Sequence, residues 1–95
     1  MKYHRTPEFN ENYKELDNKQ KQEVQKSFPD LKKAFEGDTI MRTYFDLHPL
    51  NGWPDIYAGH LKYNLVFTYH YDVDSNGEKV VFFRKIGTHG IYKNP

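Results

Sequence analysis

The chain has 95 residues, with 14 Lys and Arg against 13 Asp and Glu and a formal net charge of +1. This length predicts a single domain over residues 1–95. The balanced charge excludes a protein that binds nucleic acid through a high overall positive charge, so any nucleic-acid surface has to be a local patch. The absence of cysteine excludes disulfides, thiol nucleophiles and cysteine-ligated zinc.

The first residues, MKYHRTPEF, contain no apolar segment of the kind that opens a secretory signal. No stretch of the chain reaches membrane-spanning length, so we expect a cytoplasmic protein without a membrane partner. Residues 3–5 suit a short first strand. Thr6 is then a good N-cap for a helix, since Pro7 fits the first helical position and Glu8 the positive end of the helix dipole.

Two further helices are predicted from apolar spacing. The first helix carries Phe9, Tyr13 and Leu16, and the second begins at Asp17 or Asn18 and buries a stripe of Val24, Phe28, Leu31 and Phe35. Pro29 removes an amide donor from this second helix, so a kink or break is expected near Phe28. Gly37 ends the helix, and Asp38 caps a short third one with an apolar face of Ile40, Tyr44 and Leu47.

The chain changes character after His48, where HPLNGWP has the proline and Asn-Gly content of a loop. Residues 59–71, GHLKYNLVFTYHY, alternate in polarity and predict one strand with a single buried face. The buried face holds Leu61, Tyr63, Leu65, Phe67, Tyr69 and Tyr71; the polar face holds His60, Lys62, Asn64, Val66, Thr68 and His70.

A hairpin turn is predicted at Asn76-Gly77, with residues 80–86 as the returning strand. A two-residue turn places Tyr71 opposite Phe82 and Phe67 opposite Ile86. The same register sets His89 opposite Asn64, on the face of His60, unless Gly87 ends the pairing first. It also sets Arg84 beside Tyr69 on the apolar face, and a bulge or a longer turn moves Arg84 to the polar face.

Three segments in this order, HPLNG, GHLKYNLVFTY and GTHGIY, resemble the YafQ-like branch of the RelE/ParE superfamily of bacterial toxin–antitoxin toxins. The resemblance implies an α+β fold in which an N-terminal strand and two or three helices pack with a small antiparallel sheet. It also implies a ribosome-dependent endoribonuclease that cuts mRNA, and a cognate antitoxin that holds it inactive.

The resemblance assigns catalytic roles to His48, His60 and His89. Asn64 stands where the family usually has an acidic residue, and Leu65 where it has a tryptophan. The closing aromatic residue, Tyr92, follows His89 by three positions, whereas the family more often has four. Asn64 is therefore only a possible auxiliary residue.

Metal-free RNA cleavage needs a base for the 2′-hydroxyl, a cation for the phosphate and an acid for the leaving 5′-oxygen. Histidine suits both proton steps because its ordinary pKa is about 6.5. We expect His60 and His89 to be the proton-transfer pair, in either order, with His48 assisting. Phosphate-binding cations are expected at Lys62 and at Arg84 or Lys85; Tyr92 and Trp53 are candidates for stacking on a base.

No cofactor is expected, and the histidine spacings match neither His-x₃-His nor His-Glu-x-x-His, which disfavours zinc. Two alternatives stay open at the sequence level. One is a ParE-like toxin that inhibits DNA gyrase without cutting RNA, and the other is a degenerate toxin that only binds its antitoxin. The partners expected for the nuclease are the antitoxin, the ribosome and mRNA.

Overall fold

A five-stranded sheet, ordered β1-β5-β4-β3-β2 in space, organises the molecule. The structure is a computed structural model and describes residues 1–95. None of its helices combines the length and the apolar composition needed to cross a membrane. The elements, in chain order, are β1 (Lys2–Arg5), α1 (Pro7–Lys14), α2 (Asn18–Phe35), α3 (Thr39–Tyr44), β2 (His48–Pro49), β3 (Tyr57–His60), β4 (Val66–Val73), β5 (Lys79–Gly87) and a 3₁₀ helix (His89–Lys93).

The predicted helix caps are confirmed. The Thr6 hydroxyl accepts a hydrogen bond from the Phe9 amide at 3.2 Å, with Pro7 as the first residue of α1. Asp17 caps α2 in a reciprocal capping box with Gln20, so that two otherwise unpaired amides are satisfied. Asp38 caps α3 by accepting from the amide of residue 41. Each cap is a local contact within four residues, which is why the sequence predicts it.

Two expectations about the helices need correction: a break in α2 at Pro29, which was one of the two outcomes expected there, and the apolar face of α3. α2 runs without a break through Pro29, because the residues on either side of the proline are held against the sheet by their apolar stripe. In α3 the predicted apolar face is exposed: Ile40 is 74% and Tyr44 58% exposed. The face that packs inward carries Met41 and Phe45, the latter only 1% exposed.

The core lies between the helices and one face of the sheet. Its centre is aromatic: Phe35 of α2 meets Tyr69 of β4 edge-to-face at 4.9 Å between ring centroids and Phe83 of β5 at 5.8 Å. The other buried members of this cluster are Phe9, Leu31, Ala34, Phe45, Leu65, Phe67, Val81 and Ile86. The helices pack against this one face of the sheet, so residues on the opposite face lie outside the helix-covered core.

Residues 59–71 form two strands, so the single strand predicted from their alternation is wrong. β3 ends at His60 and β4 begins at Val66, and these two residues pair with each other across an antiparallel ladder. Tyr63 and Asn64 have φ angles of 62° and 61°. Two successive left-handed residues are typical of the type I′ turn that joins hairpin strands. The turn carries no glycine, so the sequence pattern does not reveal it.

The β4–β5 hairpin has a longer turn than the two residues expected at Asn76-Gly77, and Val73 pairs with Lys79. Tyr71 therefore lies opposite Val81, not Phe82. A bulge beside Thr68 and Tyr69 then takes up Arg84 as an extra residue. The shifted register of the longer turn sets Phe83, not Arg84, opposite Tyr69, so Arg84 leaves the apolar face. The bulge then restores the expected pairing of Phe67 with Ile86, and both features that the sequence left open, a longer turn and a bulge, are present.

The sheet is mixed, whereas an antiparallel sheet was expected. β2 to β5 are antiparallel to their neighbours, but β1 pairs in parallel with β5, from Lys2 opposite Val80 to Arg5 opposite Phe83. α1 then continues along the same edge, where the Asn12 side chain accepts from the Ile86 amide at 3.2 Å. The α+β architecture expected from the sequence, with an N-terminal strand and three helices on one sheet, is confirmed.

Candidate active site

The second face of the sheet carries the candidate catalytic residues, and we call it the histidine face. Strand pairing aligns His48, Ala58, Thr68 and Lys85 across four strands. Because directly paired residues point to the same side of a sheet, and residues two apart along a strand do as well, His60 lies on this face too. The register therefore places His48 and His60 side by side.

Three imidazoles meet at one end of the histidine face. The ring centroids of His48 and His60 lie 5.9 Å apart with their planes 21° from parallel. The ring centroid of His89 lies 5.5 Å from that of His60, with the two planes tilted by 49°. His89 reaches this place from the 3₁₀ helix rather than from a strand, since β5 ends at Gly87. Of the two sequence alternatives, the one in which Gly87 ends the pairing before His89 is confirmed, and His89 does not pair with Asn64.

The 3₁₀ helix packs against β4 and β5 next to the histidines, and β4 is buried on both of its sides. Val66 and Thr68 each have 0% exposure, although the sequence predicts them on a solvated face. Within the 3₁₀ helix, the ring of Tyr92 contacts that of His89 edge-to-face, with 5.4 Å between the ring centroids. The Thr68 and Tyr92 hydroxyls are buried without a hydrogen-bond partner. The 3₁₀ helix thus supplies one imidazole of the site and shields the neighbouring part of β4 from solvent.

The sequence interpretation missed Asp46, an acidic side chain inside this cluster. Its Oδ2 lies 3.2 Å from Nδ1 of His60 and 3.7 Å from Nδ1 of His48. Its backbone carbonyl accepts a 2.6 Å hydrogen bond from Nδ1–H of His48. The available signal was an aspartate two residues before His48, too common a spacing to single out.

Burial and neighbouring charge set the proton affinities in the cluster. Partial desolvation lowers the pKa of His60, the carboxylate of Asp46 opposes that effect, and His89 and His48 reinforce it. Burial raises the pKa of the Tyr92 phenol, and Asp46 raises it further. The His60 ring is therefore neutral at pH 7, with its ionised form disfavoured by the loss of water.

The expected cations occupy different places. Lys85 lies on the histidine face in the same row as His48, and its ammonium is 3.5 Å from a carboxylate oxygen of Glu8. Lys62 lies exposed on the turn that follows His60 and makes no ion pair. Arg84 is already engaged: it donates to Nδ1 of His70 at 3.0 Å and to the Pro95 carbonyl at 3.2 Å.

The two possible auxiliary residues lie on exposed loops. Asn64 is exposed on the type I′ turn, where its left-handed backbone conformation accounts for an asparagine. Trp53 is 39% exposed in the loop between β2 and β3, with its amide bonded to the Leu50 carbonyl. Neither side chain makes a contact with the three imidazoles.

Asp46, His48 and His60 also present the donor set of a transition-metal site. One ligand atom from each lies within 4.8 Å of the other two. His48 and His60 are remote in sequence, so no short spacing motif reveals them, and the fold assembles this trio from two separate segments. Two imidazoles and a carboxylate suit zinc or another first-row metal ion with open coordination positions.

Comparison with known proteins shows the fold. No protein-family model and no curated protein significantly matches the sequence. Among solved structures, the conserved hypothetical protein HP0892 from Helicobacter pylori is similar with a TM-score of 0.57 and 23% identity, over 95% of this chain and 96% of that one. YafQ from Escherichia coli strain BL21(DE3) is similar with a TM-score of 0.56 and 17% identity, over 93% and 92% of the two chains. An E. coli DinJ–YafQ toxin–antitoxin complex follows with a TM-score of 0.51 and 18% identity, over 93% of this chain and 91% of that one. The YafQ-like fold expected from the sequence is thereby confirmed.

Proposed function

We propose that this protein is the toxin of a toxin–antitoxin pair, a cytoplasmic endoribonuclease that cuts mRNA on the ribosome without a metal ion. The observation that carries the proposal is the meeting of His48, His60 and His89 on one face, with ring centroids 5.9 and 5.5 Å apart. The fold supports it, since similar chains include YafQ in complex with its antitoxin DinJ. By the same likeness, an antitoxin is the proposed regulatory partner.

The cleavage step uses the RNA's own 2′-hydroxyl as nucleophile. His60, kept neutral by partial desolvation, takes the hydroxyl proton while the 2′-oxygen bonds to phosphorus. The bond from phosphorus to the 5′-oxygen breaks, and His89 as imidazolium donates a proton to that oxygen. The products are a 2′,3′-cyclic phosphate and a 5′-hydroxyl, so atoms and charge balance without a co-reactant.

The remaining side chains bind and orient the RNA. Two lysines supply positive charge for the phosphate. Lys85 lies on the same face as His48, and Lys62 follows His60 by two residues. Tyr92 forms an aromatic wall against His89, against which a base can stack. Arg84 is not assigned to the phosphate, because both of its hydrogen bonds hold protein groups. The ribosome supplies the alignment of the scissile bond.

The test is cleavage of a defined mRNA in a purified translation system, with 5′-ends mapped by primer extension. Wild-type protein should cut in frame with the codons in the presence of EDTA, and a 2′-deoxy nucleotide at the cut position should abolish that cut. His60→Ala and His89→Ala should each lower the rate by about 10²–10⁴-fold. His4→Ala is the matched control, since His4 lies exposed on β1 at the far edge of the sheet.

Expression in bacteria separates the alternatives. Growth arrest that survives both histidine substitutions, with intact mRNA, would favour the gyrase inhibitor. No cleavage and no growth arrest by the wild-type protein would favour a degenerate toxin that retains only antitoxin binding. Either result overturns the nuclease proposal.

A further inference from the structure

We infer that Asp46 is the positioning residue of the candidate active site: it holds the Nδ1 edge of both His48 and His60, so that Nε2 of each ring is left for the RNA. The inference rests on the proposed function, because it assigns a task to those rings. Among all acidic residues, only Asp46 has a carboxylate within 4 Å of a histidine nitrogen.

The first support is the pattern of contacts. A carbonyl oxygen can only accept, so the 2.6 Å bond from His48 to the Asp46 carbonyl requires the proton of a neutral ring to be on Nδ1. Nδ1 of His60 is buried without a hydrogen-bond partner, and Oδ2 of Asp46 lies 3.2 Å from it, within ion-pair distance. An anion at that distance favours the Nδ1–H tautomer, which leaves the lone pair on Nε2. One residue therefore selects the tautomer of two rings.

The second support is that the backbone conformation at position 46 favours glycine over aspartate. α3 ends in a Schellman arrangement: the Leu47 amide donates to the Arg42 carbonyl and the Asp46 amide to the Thr43 carbonyl, both at 3.1 Å. Glycine usually fills the left-handed position, yet Asp46 holds it with a φ of 52°. A carboxylate also lies unfavourably at the negative end of a helix. Neighbouring imidazoles offset that cost.

The third support is the charge that cleavage creates. When His60 takes the 2′-hydroxyl proton, an imidazolium forms 3.2 Å from Oδ2 of Asp46, with the ring centroids of His48 and His89 at 5.9 and 5.5 Å. Asp46 is the one anion facing His60, and the remaining titratable neighbour, Tyr92, stays a neutral phenol. The carboxylate therefore stabilises the protonated base. Asn64, exposed on its turn, has no carboxylate to offer in its place.

Asp46→Asn isolates this task. Asparagine tolerates the left-handed conformation as well as aspartate does, and the variant keeps the backbone carbonyl that orients His48. It removes only the negative charge. Asp55→Asn is the matched control, because Asp55 is exposed, also has a positive φ, of 66°, and makes no ion pair.

Two readouts separate positioning from a structural role. In the isolated protein, an NMR titration of the imidazole C–H signals should show a lower His60 pKa in Asp46→Asn than in wild type or Asp55→Asn. In the cleavage assay, kcat should fall by about 10- to 100-fold, the range typical of losing a partner that orients a histidine, with little change in KM. The acidic limb of the kcat/KM profile should move to lower pH.

Asp46→Gly completes the experiment. Glycine relieves the left-handed strain and removes the carboxylate, so its melting temperature should rise while kcat falls as in Asp46→Asn. A His60 pKa and a kcat that match those of Asp55→Asn would overturn the inference. If wild-type protein does not cut RNA at all, the proposed function fails, and the NMR titration still decides whether Asp46 controls His60.

Discussion

Arg84 donates a hydrogen bond of 3.0 Å to Nδ1 of His70, which makes this histidine an acceptor and keeps its ring neutral. The same guanidinium donates to the Pro95 carbonyl at 3.2 Å. Arg84 is the extra residue of the bulge in β5, and the bulge aims it at both partners. Arg84 thus ties residues 89–95, which include His89, to the sheet.

Replacing Arg84 should loosen this tie. Arg84→Ala removes two hydrogen bonds from a charged donor, so we expect the free energy of unfolding to fall by about 1–3 kcal/mol. Amide hydrogen exchange should accelerate over residues 89–95, and RNA cleavage should slow because His89 is no longer held. Urea unfolding and exchange mass spectrometry measure the two effects.

Arg84→Lys tests whether Arg84 holds the C-terminal residues against the sheet through its two hydrogen bonds or binds phosphate, the role first expected for it. A lysine keeps the charge but cannot reach two partners with one planar fork. If Arg84 is a tie, the lysine variant should resemble the alanine variant in exchange and activity. Recovery of activity with exchange still fast would instead assign Arg84 to the phosphate.

Stability should fall as the pH drops below about 6.5. Burial lowers the pKa of His70, with Arg84 adding to the effect, and burial also lowers the pKa of His60. Both rings titrate near 6.5 in the unfolded chain, so the unfolded state binds more protons below that pH. The contribution of the neutral rings is complete above about pH 6.5 and is lost as the pH falls toward their folded values.

Urea unfolding between about pH 8 and pH 5.5 measures this dependence. His70→Gln should flatten it, because glutamine accepts the Arg84 hydrogen bond without titrating. The hydrogen bond and ion pair with Lys2 lower the pKa of Asp74 from its ordinary value of 3.8. The stability that this contact contributes changes only below pH 3.8, outside the range of the experiment. A flat profile in the wild-type protein would contradict the prediction.

Gly59, next to His60, should not tolerate a side chain. A Cβ there would overlap the Phe67 ring and lie 2.8 Å from Cδ2 of Leu47. Gly59→Ala should therefore destabilise the protein by about 1–3 kcal/mol through overpacking. Gly90→Ala is the control, since its Cβ would meet only the Thr88 hydroxyl at 3.8 Å. Equal melting temperatures for the two variants would refute the prediction.

Removing Pro29 should stabilise the protein. Pro29 lies exposed inside α2 and lacks the amide proton that an interior helical residue donates. Alanine is favoured over proline inside a helix by about 3 kcal/mol, but losing the proline also gives the unfolded chain more conformational freedom, which opposes the gain by about 1 kcal/mol. Pro29→Ala should therefore raise the free energy of unfolding by about 2 kcal/mol. Chemical denaturation tests this, with Asp30→Ala as a neighbouring exposed control. A loss of stability would mean that the ring packs favourably.

Local signals made much of the fold predictable. Thr6, Asp17 and Asp38 cap their helices by contacts within one turn, so residue identity and position suffice to predict them. The type I′ turn at Tyr63-Asn64 was not predictable in this way, because its sequence lacks glycine and continues the alternation of a strand. The bulge at Arg84 depends on pairing with β4, which no local pattern encodes.

The candidate site was predictable only in part. Family resemblance pointed to His48, His60 and His89, and the strands and the 3₁₀ helix do bring those rings together. Asp46 could not be found, because its contact with His60 requires the end of α3 to meet the end of β3 in space. The amide of His60 donates to the Phe45 carbonyl at 2.7 Å, and this bond fixes that meeting.

The parallel pairing of β1 with β5 has a kinetic consequence. Lys2–Arg5 can dock only after residues 79–87 have formed a strand, and bringing such remote segments together carries the entropy of closing almost the whole chain into a loop. Refolding should consequently be slower than for a helical bundle of equal size. Until that last encounter, the edge of β5 is open to the strands of other molecules, so association during refolding is the characteristic hazard of this topology.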